Sequence, residues 1–204
     1  MSSQLDLPTT IPQEEAEDLP LEGTPVTLVG PLNLPPIVFG AASFSKLYNA
    51  EHHLSSALPI RTVRLALRYG VRAFDTSAYY GPSEIILGNA LHTLKDEFPR
   101  SSYQLMTKCG RYGLSNFDYS PATIRESVKN SLERLKTDYL DTVYLHDIEF
   151  VATPCLPKTS GDHSTALKED AALYGLAPGE EGKIRGEGDQ KILDAFHELQ
   201  KLKA

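Results

Sequence analysis

The sequence has few of the features that mark disulfide-stabilised, membrane-spanning or nucleic-acid-binding proteins. Its two cysteines, Cys109 and Cys155, lie far apart and form no CxxC pair, so neither a disulfide framework nor a structural zinc site is expected. No apolar stretch approaches the roughly 20 residues that a membrane-spanning helix needs. Twenty Lys and Arg against 27 Asp and Glu give a net charge of −7, which argues against nucleic acid as the main partner.

The amino-terminal segment also lacks the pattern of a secretory signal. Residues 1–24 are acidic and rich in Pro and Glu, with no basic region followed by an apolar core. Their weak periodicity predicts a flexible tail. Together with the unpaired cysteines, this composition predicts a reducing compartment, most simply the cytoplasm.

What the sequence does contain is an alternation of apolar runs and helical patterns. Strand starts near residues 37, 71, 103 and 141 are 34, 32 and 38 residues apart, intervals that suit a strand followed by a crossover helix. Such alternation predicts a parallel sheet with helices outside it. The predicted strands are 37–44, 71–75, 103–108 and 141–146, with a further short strand at 24–29; the predicted helices are 59–69, 83–97 (Ser83 as N-cap), 120–135 (Ser120 as N-cap) and 189–202.

The pattern divides the chain into the tail at 1–24 and three further parts. Residues 25–151 match the N-terminal half of a (β/α)8 TIM barrel, 152–188 are rich in Gly, Pro, Ser and charge and suggest a surface insertion, and 189–204 would be the fourth barrel helix. Four strands cannot close such a barrel and leave two sheet edges unpaired. We therefore expect an α/β fold with only the first four βα units, as part of a longer protein or in association with another chain.

Three of the predicted strands end on a residue whose side chain can take part in acid–base chemistry. These are Asp75, Lys108 and His146, and Tyr80 follows Asp75 by five positions in the next loop. Because the C-terminal ends of parallel barrel strands meet on one face, we expect the four side chains to share one pocket.

The four residue types suit proton transfer at a carbonyl or alcohol oxygen, coupled to hydride transfer. A free phenol ionises only near pH 10, and a neighbouring ammonium favours its ionised form. Asp75 can hold Lys108 beside Tyr80, and His146 can donate a hydrogen bond that orients a substrate oxygen. The sequence offers no convincing Ser or Cys nucleophile with an adjacent base.

Several motifs around these residues resemble those of the aldo-keto reductases. The resembling stretches are Phe-Asp-Thr-Ser-Ala-Tyr-Tyr-Gly-Pro-Ser-Glu at 74–84, Leu-Gly at 87–88, Thr-Lys at 107–108, and His146. The resemblance spans about residues 36–151 and the final helix. It implies that Asp75, Tyr80, Lys108 and His146 correspond to the catalytic Asp, Tyr, Lys and His of that family.

Further stretches look like the branch of the family that contains D-arabinose 1-dehydrogenases and L-galactose dehydrogenases. They lie at 35–44, 107–113, 116–120 and 145–150. The resemblance implies NAD-dependent oxidation of a D-arabinose-like aldose at C1 to a lactone, with Tyr80 as acid and base and NADP as an open alternative. It also suggests Ala42, Ser43, Phe44 and Asp75 as cofactor contacts. The last four βα units, which supply most of the family's cofactor site, are absent from this sequence.

The sequence allows two other interpretations of the chain. In the first, the chain is an inactive half-barrel that acts only through association, with itself or with another protein, along its open sheet edges. In the second, His52, His53, His146 and Asp147 bind a metal, which we do not expect because nothing in their spacing fixes a ligand set.

Two further features have plain structural explanations. Arg61, Arg64, Arg68 and Arg72 recur at helical spacing, which predicts a solvated outer face of the first long helix. Cys109 is expected to be a buried thiol pointing away from Lys108, because adjacent strand residues face opposite sides of a sheet.

Overall fold

Four parallel strands, joined by crossover connections, form the centre of the protein. The computed structural model describes residues 5–15, 18, 28–30, 33–155, 164–180 and 182–203. Its strands are β1 (Phe39–Gly40), β2 (Ala73–Asp75), β3 (Gln104–Cys109) and β4 (Thr142–Leu145), and its helices are α1 (Glu51–Leu54), α2 (Leu58–Arg68), α3 (Ser83–Thr93), α4 (Pro121–Leu135) and α5 (Glu187–Lys203). The sheet order is β1-β2-β3-β4, which confirms the predicted α/β class and matches the first four strands of a (β/α)8 barrel.

The apolar core lies between the sheet and helices α2 and α3. The predicted inward residues of α2 and those of the α3 region are all buried, and Phe74 of β2 packs with its ring centroid 5.5 Å from that of Phe39. Burying one large apolar side chain contributes about 1.5–3 kcal/mol. The buried set comprises Ile60, Val63, Leu67, Ile86, Ala90, Leu91 and Leu94.

Helices α3 and α4 come into backbone contact at Gly88. A Cβ atom at this position would lie 2.6 Å from Leu135 Cα and would also meet the carbonyl oxygen of Arg134. The backbones of the two helices are therefore in direct contact, and only a glycine fits between them.

A buried polar network joins the same two helices to the sheet. Glu84 of α3 is 1% exposed and accepts hydrogen bonds from Thr107 Oγ1 of β3 and from Arg134 Nε of α4, both at 2.6 Å. A buried carboxylate is tolerated when it is paired in this way.

The prediction of a buried strand over 37–44 was right only at its centre. Strand β1 covers only Phe39–Gly40, and Ala41–Phe44 form one turn of 3-10 helix. A 3-10 helix has three residues per turn, so Ala41 and Phe44 lie on one side and are both buried. A short apolar run cannot distinguish this arrangement from a strand.

Ser83 begins α3 but is not its N-cap, in contrast to the prediction. Pro82 holds the cap position, and the Ser83 hydroxyl donates to the carbonyl oxygen of Ala41 at 2.6 Å. Thr76 Oγ1 lies 2.8 Å from the same hydroxyl oxygen. The start of α3 is thus tied to the turn after β1 and to the loop after β2. Ser120 does occupy the N-cap position of α4, although its side chain makes no capping hydrogen bond.

Parts of the tail that the sequence predicts to be flexible are packed in this structure. Leu5 and Leu7 contact the core, and the Pro8 carbonyl oxygen accepts a hydrogen bond from Asn89 Nδ2 of α3 at 2.7 Å. Farther along, residues 24–27 of the predicted short strand lie outside the described residues, and Val29 makes a single antiparallel bridge to Leu34.

Arg61, Arg64 and Arg68, the part of the arginine stripe that lies on α2, are covered by acidic side chains, so the prediction of a solvated face was wrong for them. Arg72 lies beyond the end of α2, and its guanidinium carbon is 5.5 Å from the ring centroid of Phe98. The carboxylates come from the tail and from Glu97, which follows α3, and opposite charge explains the attraction. The pairs are Arg61 with Glu15 (2.6 Å) and Asp18 (2.9 Å), Arg64 with Glu14 (3.0 Å) and Glu97 (2.7 Å), and Arg68 with Glu14 and with Glu97 (2.9 Å).

Helix α5 packs on α4, and Ile192, Ala195 and Leu199 of its predicted apolar stripe belong to an apolar cluster there. Ala195 is buried, whereas Phe196 is half exposed, and Glu198 is buried instead. Glu198 accepts a hydrogen bond from Arg125 Nε of α4 at 2.9 Å. The predicted stripe was thus wrong for Phe196 alone, and periodicity gave no sign of the ion pair that Glu198 makes. In the described parts of the chain, no helix is long and apolar enough to cross a membrane.

Candidate active site

The four predicted site residues lie together at the carboxyl end of the sheet. Asp75 is the last residue of β2, Lys108 is the penultimate residue of β3, and His146 directly follows β4. Tyr80 lies in the loop between β2 and α3. The parallel register places Asp75 opposite Met106 and Lys108 opposite Tyr144, so the three strands end at one edge. The local cause is the parallel sheet itself, which aligns the C-terminal ends of its strands.

Lys108 is the hub of this cluster. Its ammonium donates to Asp75 Oδ2 at 2.5 Å and to the Thr76 carbonyl oxygen at 3.0 Å. The same Nζ lies 4.8 Å from the ring centroid of Tyr80. The Lys108 and Asp75 side chains are 16% and 27% exposed, so water screens this pair less than a surface pair. A positive charge is therefore held beside the phenol.

His146, directly after β4, faces Tyr80. The two rings are perpendicular, with centroids 5.6 Å apart. His146 Nδ1 lies 2.9 Å from Ser77 Oγ, and Nε2 lies 3.6 Å from Asp147 Oδ2. Burial lowers the pKa of His146 below its ordinary value; Asp147 opposes that shift and Lys108 adds to it. The imidazole is consequently neutral at pH 7 and can donate from one nitrogen while accepting at the other.

The main chain at His146 is held from two sides. Its N–H donates to the Cys109 carbonyl oxygen at 2.9 Å, and its own carbonyl oxygen accepts a hydrogen bond from the Tyr119 hydroxyl. Tyr119 lies against Gly110, where a Cβ atom would be 2.8 Å from the ring and where φ is +102°. Gly110 thus lets the chain turn after β3 and lets Tyr119 reach beneath the site.

An arginine next to the cluster was missed from the sequence. Arg111 pairs with Asp147, and its guanidinium carbon lies 4.2 Å from the ring centroid of Tyr79. Arg111 and Asp147 follow Lys108 and His146 closely in the chain, so their place in the quoted motifs was the available signal. Ser77 was also missed, although it lies inside the motif at 74–84.

The residues suggested as cofactor contacts do not all face the site. Phe44 is buried in the core with its ring centroid 5.7 Å from that of Phe39, so the suggestion of a side-chain contact there is corrected. Ala42 and Ser43 are partly exposed at the carboxyl end of β1, and Asp75 is engaged by Lys108. For these three residues the cofactor contact stays a prediction.

Two other candidate chemistries find no support among the described residues. No group of three or more His, Cys, Asp and Glu side chains there could hold a metal ion. Cys109 is 2% exposed, which confirms the predicted buried thiol, and burial raises the pKa of this thiol to about 12.

A surface depression of about 590 Å³ lies at the opposite end of the sheet and contains none of the four residues. It is bounded by the C-terminal ends of α3 and α4, with Leu91 and Leu135 among its lining residues. In barrels of this kind the amino end of the sheet serves stability and the carboxyl end carries chemistry. We therefore place the candidate active site at the Lys108 cluster.

The chain belongs to the aldo/keto reductase family, whose family model matches residues 36–204. It is 45% identical over 135 residues to D-arabinose 1-dehydrogenase of Saccharomyces cerevisiae, covering 66% of this chain and 37% of that protein. It is 42% identical over 121 residues to L-galactose dehydrogenase of Arabidopsis thaliana, covering 58% of this chain and 36% of that protein.

A third relative is named for a different reaction. NADH-specific methylglyoxal reductase of Escherichia coli is 36% identical over 159 residues, covering 71% of this chain and 44% of that protein. A solved structure assigned to the aldo-keto reductases, from Pseudomonas aeruginosa, matches with a TM-score of 0.48 and 25% identity, over 74% of this chain and 55% of that one. The chain thus spans less than half the length of D-arabinose 1-dehydrogenase, L-galactose dehydrogenase and methylglyoxal reductase.

Proposed function

We propose that the whole protein oxidises a D-arabinose-like aldose at C1 to the corresponding lactone. The observation that carries the proposal is the Lys108 ammonium, which contacts the Asp75 carboxylate and lies 4.8 Å from the Tyr80 ring. The choice of sugar is supported by the two relatives that share 45% and 42% identity, because both are named as dehydrogenases of sugars.

In the proposed mechanism, Tyr80 is the base that accepts the proton of the C1 hydroxyl group. The bond from C1 to oxygen becomes double as the hydrogen on C1 leaves with both bonding electrons. Lys108 stabilises the negative charge of the phenolate, and Asp75 holds Lys108 in place. His146 donates a hydrogen bond that orients the sugar oxygen over Tyr80.

The chemistry of the site fits a nicotinamide cofactor. The four side chains handle protons and charge, and none of them can accept a hydride; acceptance of the hydride is what a bound nicotinamide supplies. Among the residues of this chain, Ala42, Ser43 and Asp75 are the proposed contacts. NAD rather than NADP is favoured by the sugar-dehydrogenase resemblance and by the relative named for NADH.

The proposal is tested on the whole protein with D-arabinose and either dinucleotide, by following formation of the reduced dinucleotide and identifying the lactone. Tyr80→Phe removes one oxygen atom, and we expect turnover to fall by a factor of about 10²–10⁴, the usual contribution of a general base. Tyr69→Phe is the matched control, because Tyr69 is 43% exposed and caps the C-terminal end of α2, on the side where β2 begins. Normal turnover by Tyr80→Phe would exclude the mechanism, and no turnover with any aldose would exclude the substrate class.

The alternative of association through open sheet edges has one structural observation in its favour. Strands β1 and β4 are the outer strands of the described sheet, and Ile37 before β1 and Tyr144 in β4 are 68% and 38% exposed. Light scattering on the 204-residue chain distinguishes the cases. A mass of 22.5 kDa is that of a monomer, and twice that mass would support self-association.

A further inference from the structure

Ser77 lies beneath His146 in the loop after β2 and is completely buried. Its Oγ atom lies 2.9 Å from His146 Nδ1. The same oxygen accepts a hydrogen bond from the backbone N–H of Tyr79 at 3.1 Å. In the described part of the chain, these are the two hydrogen bonds of the Ser77 side chain.

The number of protons and lone pairs decides which nitrogen of His146 is protonated. A hydroxyl group has one proton to donate and two lone pairs to accept with. One lone pair is occupied by the Tyr79 N–H. If Nδ1 carried a proton, that proton would occupy the second lone pair and the Ser77 hydroxyl proton would be buried with no acceptor. If Nδ1 is bare, the hydroxyl donates to it, and every group is satisfied.

The opposite side of the ring favours the same arrangement. His146 Nε2 lies 3.6 Å from Asp147 Oδ2, and a proton on Nε2 therefore faces a negative charge. Arg111 pairs with Asp147 and holds this carboxylate in place. The two sides of the imidazole thus agree: Nδ1 accepts and Nε2 donates.

We propose that Ser77 is a positioning residue that holds His146 in the tautomer with its proton on Nε2. The inference rests on the proposed function in one respect, namely that the Nε2–H group is the donor that orients the sugar oxygen. Without the Ser77 hydroxyl, the imidazole loses the partner that fixes both its tautomer and its rotation. The ring then presents a donor to the sugar only part of the time.

The tautomer is measured directly by ¹⁵N–¹H correlation spectroscopy of the histidine rings in the whole protein, at mildly alkaline pH where imidazole is neutral. The His146 signals are assigned by their loss in His146→Gln. We expect the wild-type ring to be protonated at Nε2 and bare at Nδ1. A wild-type ring protonated at Nδ1 would overturn the proposal, and this measurement needs neither a Ser77 variant nor turnover.

Variants of Ser77 then test its role. Ser77→Ala should give a mixture of tautomers and lower kcat roughly tenfold, with a smaller change in KM. Ser77→Thr keeps the hydroxyl and should restore both properties, and Ser55→Ala, at the C-cap of α1, is the control. An unchanged tautomer in Ser77→Ala would also overturn the proposal. Absence of aldose oxidation in the wild type would instead count against the proposed function and leave the spectroscopic result standing.

Discussion

Replacing Gly88 by alanine has two opposing effects on the stability of the fold, and the structure allows their sizes to be compared. Gly88 lies inside α3, where alanine is favoured over glycine by about 1 kcal/mol of helix propensity. Against that gain, the new Cβ would lie 2.6 Å from Leu135 Cα and 2.7 Å from the Leu135 carbonyl carbon. Carbon atoms in optimal contact are about 3.5–4.0 Å apart.

The steric clash should outweigh the gain in helix propensity. All the contacted atoms belong to the backbone of α4, so no side-chain rotation relieves them and the helices must separate by about 1 Å. Overpacking of this kind costs about 1–3 kcal/mol or more, and the separation also loosens the contacts of Leu135, which is buried. We expect Gly88→Ala to lower the free energy of unfolding by about 1–2 kcal/mol, as a shift of the urea midpoint at constant slope.

Gly182→Ala is the matched control. A Cβ atom at Gly182 meets nothing within 4 Å, so the substitution should be neutral or stabilise by up to about 1 kcal/mol through the unfolded state. If Gly88→Ala were as stable as the wild type, the close approach of α3 and α4 described here would be incorrect.

Three further predictions concern buried groups. Glu84→Ala should destabilise the fold by about 3 kcal/mol because it leaves Arg134 and a buried hydroxyl without their acceptor; a urea midpoint within error of wild type would contradict this. Because the pKa of His146 is lowered on folding, the unfolded chain binds more protons below about pH 6.5. Stability should therefore be complete above that pH and fall as the pH drops toward the folded pKa, and His146→Gln should weaken this dependence of the thermal midpoint. A thiol reagent should modify Cys155, which is partly exposed, before Cys109, as read by mass spectrometry after digestion; faster modification of Cys109 would refute its burial.

The site was predictable from the sequence because its residues end strands. Asp75, Lys108 and His146 each close an apolar run, and the geometry of a parallel sheet then brings together residues that are far apart in the chain. The contacts that position these side chains could not be predicted in the same way. The hydroxyl of Ser77 and the carboxylate of Asp147 act through distances and lone pairs, which periodicity does not encode.

The packing of the helices that cover the sheet was predictable in part. The apolar faces of α2 and α3 follow helical spacing and were found, whereas the acidic partners of the arginine stripe lie 29–54 residues away in the chain. No local pattern identifies a partner at that distance. Helix α5 is a second case: its apolar stripe was found apart from Phe196, whereas the bond of the buried Glu198 to Arg125, 73 residues away, was not.

Two consecutive residues of β3 fasten both ends of the loop that carries Tyr80. Thr107 holds Glu84 on the helix side of the sheet, and Lys108 holds Asp75 on the side of the site. Since neighbouring strand residues face opposite sides, a register slip of β3 by a single residue would exchange the two anchors and release the loop at both ends. The helical layer and the chemistry therefore cannot be altered independently at this point: any redesign of the α3–α4 packing is also an intervention in the geometry of the candidate active site.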